Sequence, residues 1–298
     1  MRAPFEVLEP TGPETPVVVE IAHAGLYVPP PFLEPLAAPA RSLARDADLY
    51  VDEIYGDAPA EGASVLVART SRYVIDVNRA ETDVDSEVVE GARSDVTLHH
   101  GLVWRTTSEG DPALARKLTR DELDERLDKV WRPYHRTLAD LILRKRSRFG
   151  LCVVLAAHSM PSVERPGGVG NGNGGRRASR SSEEGALGRP GRPRADVVPG
   201  TRGRRSAAPE FIDAVEARAT AQGWSVRHDD PYAGGFTTQH YGRPEAGVHV
   251  VQVELARRLY LDEGTLRRGP QFAEVRTWCR GLVHTLAEAA GRGRRAGP

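Results

Sequence analysis

Apolar residues in this chain fall into short unbroken runs and into helical periodicities that follow one another. PVVVEIA (16–22) is a continuous run that predicts a strand buried on both faces, as in the middle of a parallel sheet, and it ends at His23-Ala24-Gly25. From Arg41 to Tyr55 the apolar positions recur at helical spacing, after which ASVLVA (63–68) and RYVIDV (72–77) read as strands. Thr119 with Glu122 forms a capping-box signature at the head of a long amphipathic helix running to about Arg148 and closed by Gly150. LCVVLAAHSMPSV (151–163) is again a buried strand, and it delivers His158-Ser159 to its far end. Pro209 in a first helical turn and Gly223 just past the last bound another helix. WSVRH, VHVVQVEL and a helix from about Pro270 complete the alternation, which predicts an α/β sheet covered on both faces.

One stretch departs from this pattern. From Glu164 to Arg194 the chain is rich in Gly, Arg, Ser and Pro and poor in large apolar residues, so it buries too little surface to order itself. We expect one domain over 1–298, interrupted by a flexible Gly/Arg-rich insertion at about 164–194; an arginine-rich arm for RNA or an acidic partner is the competing account.

Composition narrows the function classes. Lys+Arg and Asp+Glu both number 41, so no whole-domain field attracts nucleic acid or anionic lipid. Apolar runs fall well short of the ~20 residues of a membrane helix, and MRAPFEVLEP lacks a hydrophobic signal core, so a cytoplasmic protein is expected. The two cysteines, Cys152 and Cys279, sit in a strand pattern and a helix pattern and read as reduced packing residues. Any metal would therefore be held by histidine and carboxylate.

Ligands of open α/β sheets bind outside the carboxyl ends of the strands. Three such ends carry chemically able residues: His23, His158 and, within VVQVELARRLY, Glu254. Two imidazoles and a carboxylate make a three-ligand catalytic zinc set, and a further carboxylate nearby can serve as general base. Each residue has a structural alternative. A histidine after a strand is commonly just hydrogen-bonded, and Glu254, costly to bury unpaired, could bridge to Arg257 or Arg258. Gly234-Gly235 lets backbone approach a ligand closely beside Thr237, Thr238 and Tyr241, or forms an ordinary tight loop. His135, in the middle of the long helix, suits packing or an outer-shell hydrogen bond.

The ordered series His23-Ala24-Gly25, Asp46-Ala47-Asp48, SRYVIDVNR (71–79), GLVWRTT, RPYH (132–135), HSMP (158–161), DVVPG (196–200), DPYAGGFTTQHYGRP (230–244) and VQVELARRLY (251–260) resembles the N-formylglutamate amidohydrolase family over about residues 16–263. The resemblance implies a mixed, mostly parallel sheet flanked by helices on both faces, similar to zinc carboxypeptidase, aminoacylase and phosphorylase/hydrolase-like folds. It implies hydrolysis of N-formyl-L-glutamate to formate and L-glutamate, in histidine breakdown, with Zn2+ or another divalent metal activating the attacking water. His23 and His158 match the family histidines, and the third ligand comes from Asp46-Ala47-Asp48; we favour Asp48, the alternative being that both aspartates cap or solvate a helix. Glu254 resembles the general base of zinc carboxypeptidases. Asn78-Arg79 resembles the pair that holds a substrate carboxylate in such enzymes, and Arg72 is a second candidate.

The chain also departs from the family pattern: Ala156 stands where many members carry an aspartate two residues before the histidine, and Ala22 stands where proline is frequent. These changes leave open a hydrolase of another N-acyl amino acid or small peptide, and a catalytically weak paralogue with a binding or regulatory role.

Overall fold

Six strands pair into one sheet in the computed structural model, which describes residues 2–92, 98–164 and 191–293. They are β1 (Phe5–Leu8), β2 (Val17–Ile21), β3 (Ser64–Ala68), β4 (Cys152–Met160), β5 (Val197–Gly200) and β6 (Val248–Ala256), in the order β1-β3-β2-β4-β6-β5. The four inner strands run parallel, and β1 and β5 close the two edges antiparallel. Every residue of β2, β3, β4 and β6 is buried, as expected of apolar runs lying between two helical layers.

Successive side chains alternate between those layers. Val17, Val19 and Ile21 join Leu155 and Val253 against helices α5 (Pro209–Ala221) and α7 (Phe272–Gly293). Val18, Leu66, Val154 and Val250 pack on the other side against Leu138, Leu141 and Ile142 of α4 (Arg132–Phe149). The mixed, mostly parallel sheet flanked by helices is thus the expected architecture.

The long helix starts as expected, with the Thr119 hydroxyl accepting the Glu122 N–H at 3.2 Å and the Glu122 carboxylate accepting the Thr119 N–H at 2.8 Å. It ends at Gly150, whose φ of 77° only glycine adopts without cost. Between α3 (Arg120–Arg126) and α4, residues Leu127–Trp131 widen into a π-helical turn. Pro133 lacks an N–H and crowds the carbonyl four residues back, so an ordinary turn there is disfavoured.

Three expected elements come out differently. The helix of 41–55 breaks into α1 (Ala40–Asp46) and α2 (Val51–Ile54), because Ala47 is extended and Tyr50 adopts φ 64°. RYVIDV is a buried loop rather than a strand: the Asp76 N–H reaches Leu102 O at 2.8 Å and the Asn78 N–H bonds the Asp76 carboxylate at 2.9 Å, so no sheet ladder is needed. WSVRH contributes only the isolated bridge of Val226 to Val197. The expected insertion lies outside the described residues from 165 to 190. Among the described residues no helix is long and apolar enough to cross a membrane.

Strands β2, β4 and β6 all point their carboxyl ends to one edge of the sheet. Register sets His158 beside Glu254 on adjacent strands, and Glu20 beside Ala156 one pair of strands over.

Candidate active site

His23, Asp48 and His158 converge at that edge, all buried, with one ligand atom from each lying within 4.8 Å of the others. Asp48 occupies the break between α1 and α2, and its backbone N–H donates to His23 O at 2.9 Å, fixing one candidate ligand to the next. Its two carboxylate oxygens divide the work. Oδ2 faces the histidines, 3.0 Å from His158 Nδ1 and 3.5 Å from His23 Nδ1, while Oδ1 accepts from Ser159 Oγ and Arg257 Nη2, each at 3.3 Å. Asp46 is turned elsewhere, with its carboxylate taken by the Tyr73 hydroxyl and by the backbone and hydroxyl of Ser108.

The electrostatics follow from this packing. Burial opposes ionisation of Asp48, yet hydrogen bonds to His158 and His23 hold its carboxyl well below the usual range. Burial also disfavours a charged His158, but the bond to Asp48 and the fields of Glu254, Asp48 and Glu20 push it up to about 9. Two imidazoles and an ionised carboxylate that share one small space form the natural donor set of a divalent cation, which would replace the proton between His158 and Asp48. His23 is prepared for this role: its Nε2–H donates to Asp76 Oδ1 at 2.7 Å, which leaves the Nδ1 lone pair facing Asp48.

Glu254 projects from β6 next to His158. Its Oε1 accepts from Gln252 Nε2 at 2.8 Å, and burial, reinforced by the Asp48 charge, raises its pKa despite the attraction of the histidines. No ion pair joins it to Arg257, which serves Asp48, Arg45 O and Ala47 O, or to Arg258, which pairs with Asp196. A carboxyl with a raised pKa beside a metal-type donor set is suited to take and return a proton.

These groups open into a cavity of about 1260 Å³, also lined by Arg72, Asn78, Arg79, Gly234 and Gly235. Arg79 is pinned by Nε to His100 O at 2.8 Å and by Nη1 to Asn78 O at 3.3 Å. Arg72 is committed to Asp76 Oδ2, at 2.6 Å through Nη2 and 3.2 Å through Nε, and lies 4.3 Å over the Trp104 ring. Asn78 is wedged between His158 Nε2, 3.3 Å from its Nδ2, and the Thr237 N–H, which bonds its Oδ1 at 3.0 Å. Gly235, just before α6 (Phe236–Tyr241), is small because a Cβ there would stand 2.4 Å from the Asn78 amide. Thr237 is fully buried and does not line the cavity; it supports Asn78 and lies 3.5 Å from Glu20 Oε1. His135 holds Val77 O at 2.8 Å, and so anchors the segment that carries Asn78 and Arg79.

Sequence reasoning missed Asp76 and Glu20. Asp76 receives five N–H groups, from His23, Asn78, Trp104 and twice from Arg72. Glu20 accepts from the Tyr134 hydroxyl at 2.7 Å, while its Oε2 is buried without a partner among the described residues. The signal that singled out Glu254, a carboxylate inside an apolar run, marks both of them equally.

The model of the family described as N-formylglutamate amidohydrolase matches residues 15–261. An N-formylglutamate deformylase of Pseudomonas aeruginosa is 33% identical over 262 residues, covering 87% of this chain and 86% of that protein. One of Pseudomonas putida is 32% identical over 251 residues, covering 83% and 82%. The crystal structure of N-formylglutamate amidohydrolase from Ralstonia eutropha JMP134 superposes with a TM-score of 0.83 at 31% identity, over 98% of this chain and all of that one. A protein of Agrobacterium tumefaciens, 19% identical with a TM-score of 0.66, shares the fold. Fold, site and relatives together define a hydrolase that acts on an amide bond. Within that class, the chain belongs to the N-formylglutamate amidohydrolase family.

Proposed function

We propose that this protein hydrolyses N-formyl-L-glutamate to formate and L-glutamate in a metal-dependent reaction, a step of histidine breakdown in the cytoplasm. The observation that carries the reading is the convergence of His23, Asp48 and His158 within 4.8 Å beside the buried Glu254, in a chain similar to named deformylases. Two imidazoles and one carboxylate suit zinc, which when bound would polarise the formyl oxygen and bring a water's pKa toward ~7.

The remaining steps belong to this chain's own residues. Glu254 takes a proton from water as the new C–O bond forms at the formyl carbon, and returns it to the amine nitrogen as the C–N bond breaks. Gln252 holds that carboxylate in place at 2.8 Å. Arg79, backed by its bonds to His100 O and Asn78 O, grips a substrate carboxylate with its outer nitrogen. Asn78 and Arg72, both on the cavity wall, complete that side together with the backbone at Gly234-Gly235, which packs against the Asn78 amide.

The test is formate release from N-formyl-L-glutamate by purified protein, with metal content measured on the same sample and on a chelated, zinc-restored control. Activity that is lost on chelation and restored by zinc is the expected result. Metal binding without formate would overturn the substrate; full activity in thoroughly metal-free protein would overturn the roles of His23, Asp48 and His158.

A further inference from the structure

The geometry points to Arg202 as the residue that reads the side-chain carboxylate of the substrate and so sets a preference for acidic N-acyl amino acids, an inference that rests on the reading above. N-formyl-L-glutamate carries two carboxylates, and Arg79 accounts for one of them. Three other arginines of the cavity are matched to carboxylates, Arg45 with Glu109, Arg72 with Asp76 and Arg257 with Asp48; of the remaining two, Arg194 donates to Pro161 O and stacks on Tyr232, and the exposed Arg205 donates through Nε to Arg202 O at 3.0 Å. Arg202 lines the same cavity, half-buried, and among the described residues its guanidinium has only one long contact, to Gly234 O at 3.5 Å. A planar fork of donors held at a cavity wall, with no anion beside it among the described residues, is suited to a carboxylate ligand.

Its backbone supports the same conclusion. Arg202 adopts φ 55°, the left-handed region that a non-glycine residue enters only at a cost. The conformation is enforced from all sides. Its N–H bonds Ala233 O at 2.8 Å, the neighbouring Thr201 and Gly203 N–H groups both bond the Asp229 carboxylate, and the fully buried Thr201 hydroxyl donates to His228 Nε2 at 2.6 Å. His228 in turn is held by Glu216 through Nδ1 at 2.6 Å. This clamp directs the side chain at Gly234, which is linked through Gly235 N–H to Gln252 Oε1 at 2.9 Å and thence to Glu254. One continuous wall therefore runs from the proposed proton carrier to Arg202.

The experiment compares kcat/KM for N-formyl-L-glutamate and N-formyl-L-norvaline in zinc-loaded wild type, Arg202→Gly and Arg202→Lys, with thermal melting of each. Arg202→Gly removes the guanidinium and relieves the backbone, so it should melt no lower than wild type. Its preference ratio for the acidic substrate should nevertheless fall by about 10- to 100-fold, chiefly through KM, with Arg202→Lys intermediate. An unchanged ratio in Arg202→Gly, or a wild type without preference for the acidic substrate, would overturn the proposal while leaving the deformylase reading intact. A wild type that turns over neither substrate would remove that reading and the proposal with it.

Discussion

Replacing Asp76 by asparagine removes one charge and almost no volume, and it should disable the site from beneath. The carboxylate is fully buried, and burial alone would favour its neutral form, but Arg72, His23 and Arg79 keep it ionised well below the usual carboxyl range. Its Oδ1 accepts from His23 Nε2 and the Asn78 N–H; its Oδ2 accepts from Arg72 twice and from Trp104 Nε1 at 3.1 Å. An amide offers one oxygen. If that oxygen stays with His23, the Arg72 and Trp104 donors face an NH2 group and a buried guanidinium loses its counterion, a change worth roughly 3–5 kcal/mol. If it turns to Arg72, His23 loses the acceptor that fixes its tautomer, which costs about 10- to 100-fold in metal affinity. We therefore predict that Asp76→Asn lowers the urea-denaturation free energy by ~3 kcal/mol or weakens zinc in a chelator competition by at least tenfold. A variant matching wild type in both assays would refute the assignment of Asp76 as the support of His23 and Arg72.

Other outcomes follow from the same geometry. Glu254→Gln should retain stoichiometric zinc and lose about 10²–10⁴-fold in kcat, and near-normal turnover would remove it from proton transfer. Gly235→Ala should displace the Asn78 amide, costing about 1–3 kcal/mol in stability and lowering kcat/KM; wild-type values of both would show that the wedge tolerates movement. His135 is pushed down to about 4 by burial, against an ordinary value of 6.5, so the native state holds it neutral. Its contribution is fully present above pH 6.5 and is lost as pH falls through about 4, ~3 kcal/mol in all. His135→Gln should therefore show a shallower stability loss between pH 7 and 4.5 than wild type, as measured by urea denaturation, and an unchanged slope would discount His135.

Strand ends were the most legible part of this molecule. A continuous apolar run reports burial on both faces, and a polar residue near or just past its carboxyl end lies close to the sheet edge, so His23, His158 and Glu254 could be gathered from sequence alone. RYVIDV carried the same apolar signal for a different reason: a loop buried around Asp76 satisfies its backbone internally, and hydrophobicity cannot tell that from a ladder. Asp46 and Asp48 lie two residues apart in what reads as one helix, and only the break at Ala47 sends them in different directions. Arg202 was invisible, because a left-handed arginine is imposed by distant partners, Asp229 and His228, rather than by its neighbours in the chain.

The pairing of His158 with Glu254 across β4 and β6 has a bearing on how such a protein can change over time. Their separation is set by the spacing of two hydrogen-bonded strands, and a slip of one residue would carry either side chain to the opposite face of the sheet. On the roles proposed above, reaction chemistry is thus tied to the strand ladder itself. Arg79 and Arg202, by contrast, stand on connecting loops, where replacement or insertion leaves the ladder untouched. On those proposed roles, substrate choice can drift in a lineage while the bond-breaking machinery stays still, and a single scaffold can supply several deacylases by exchanging its rim.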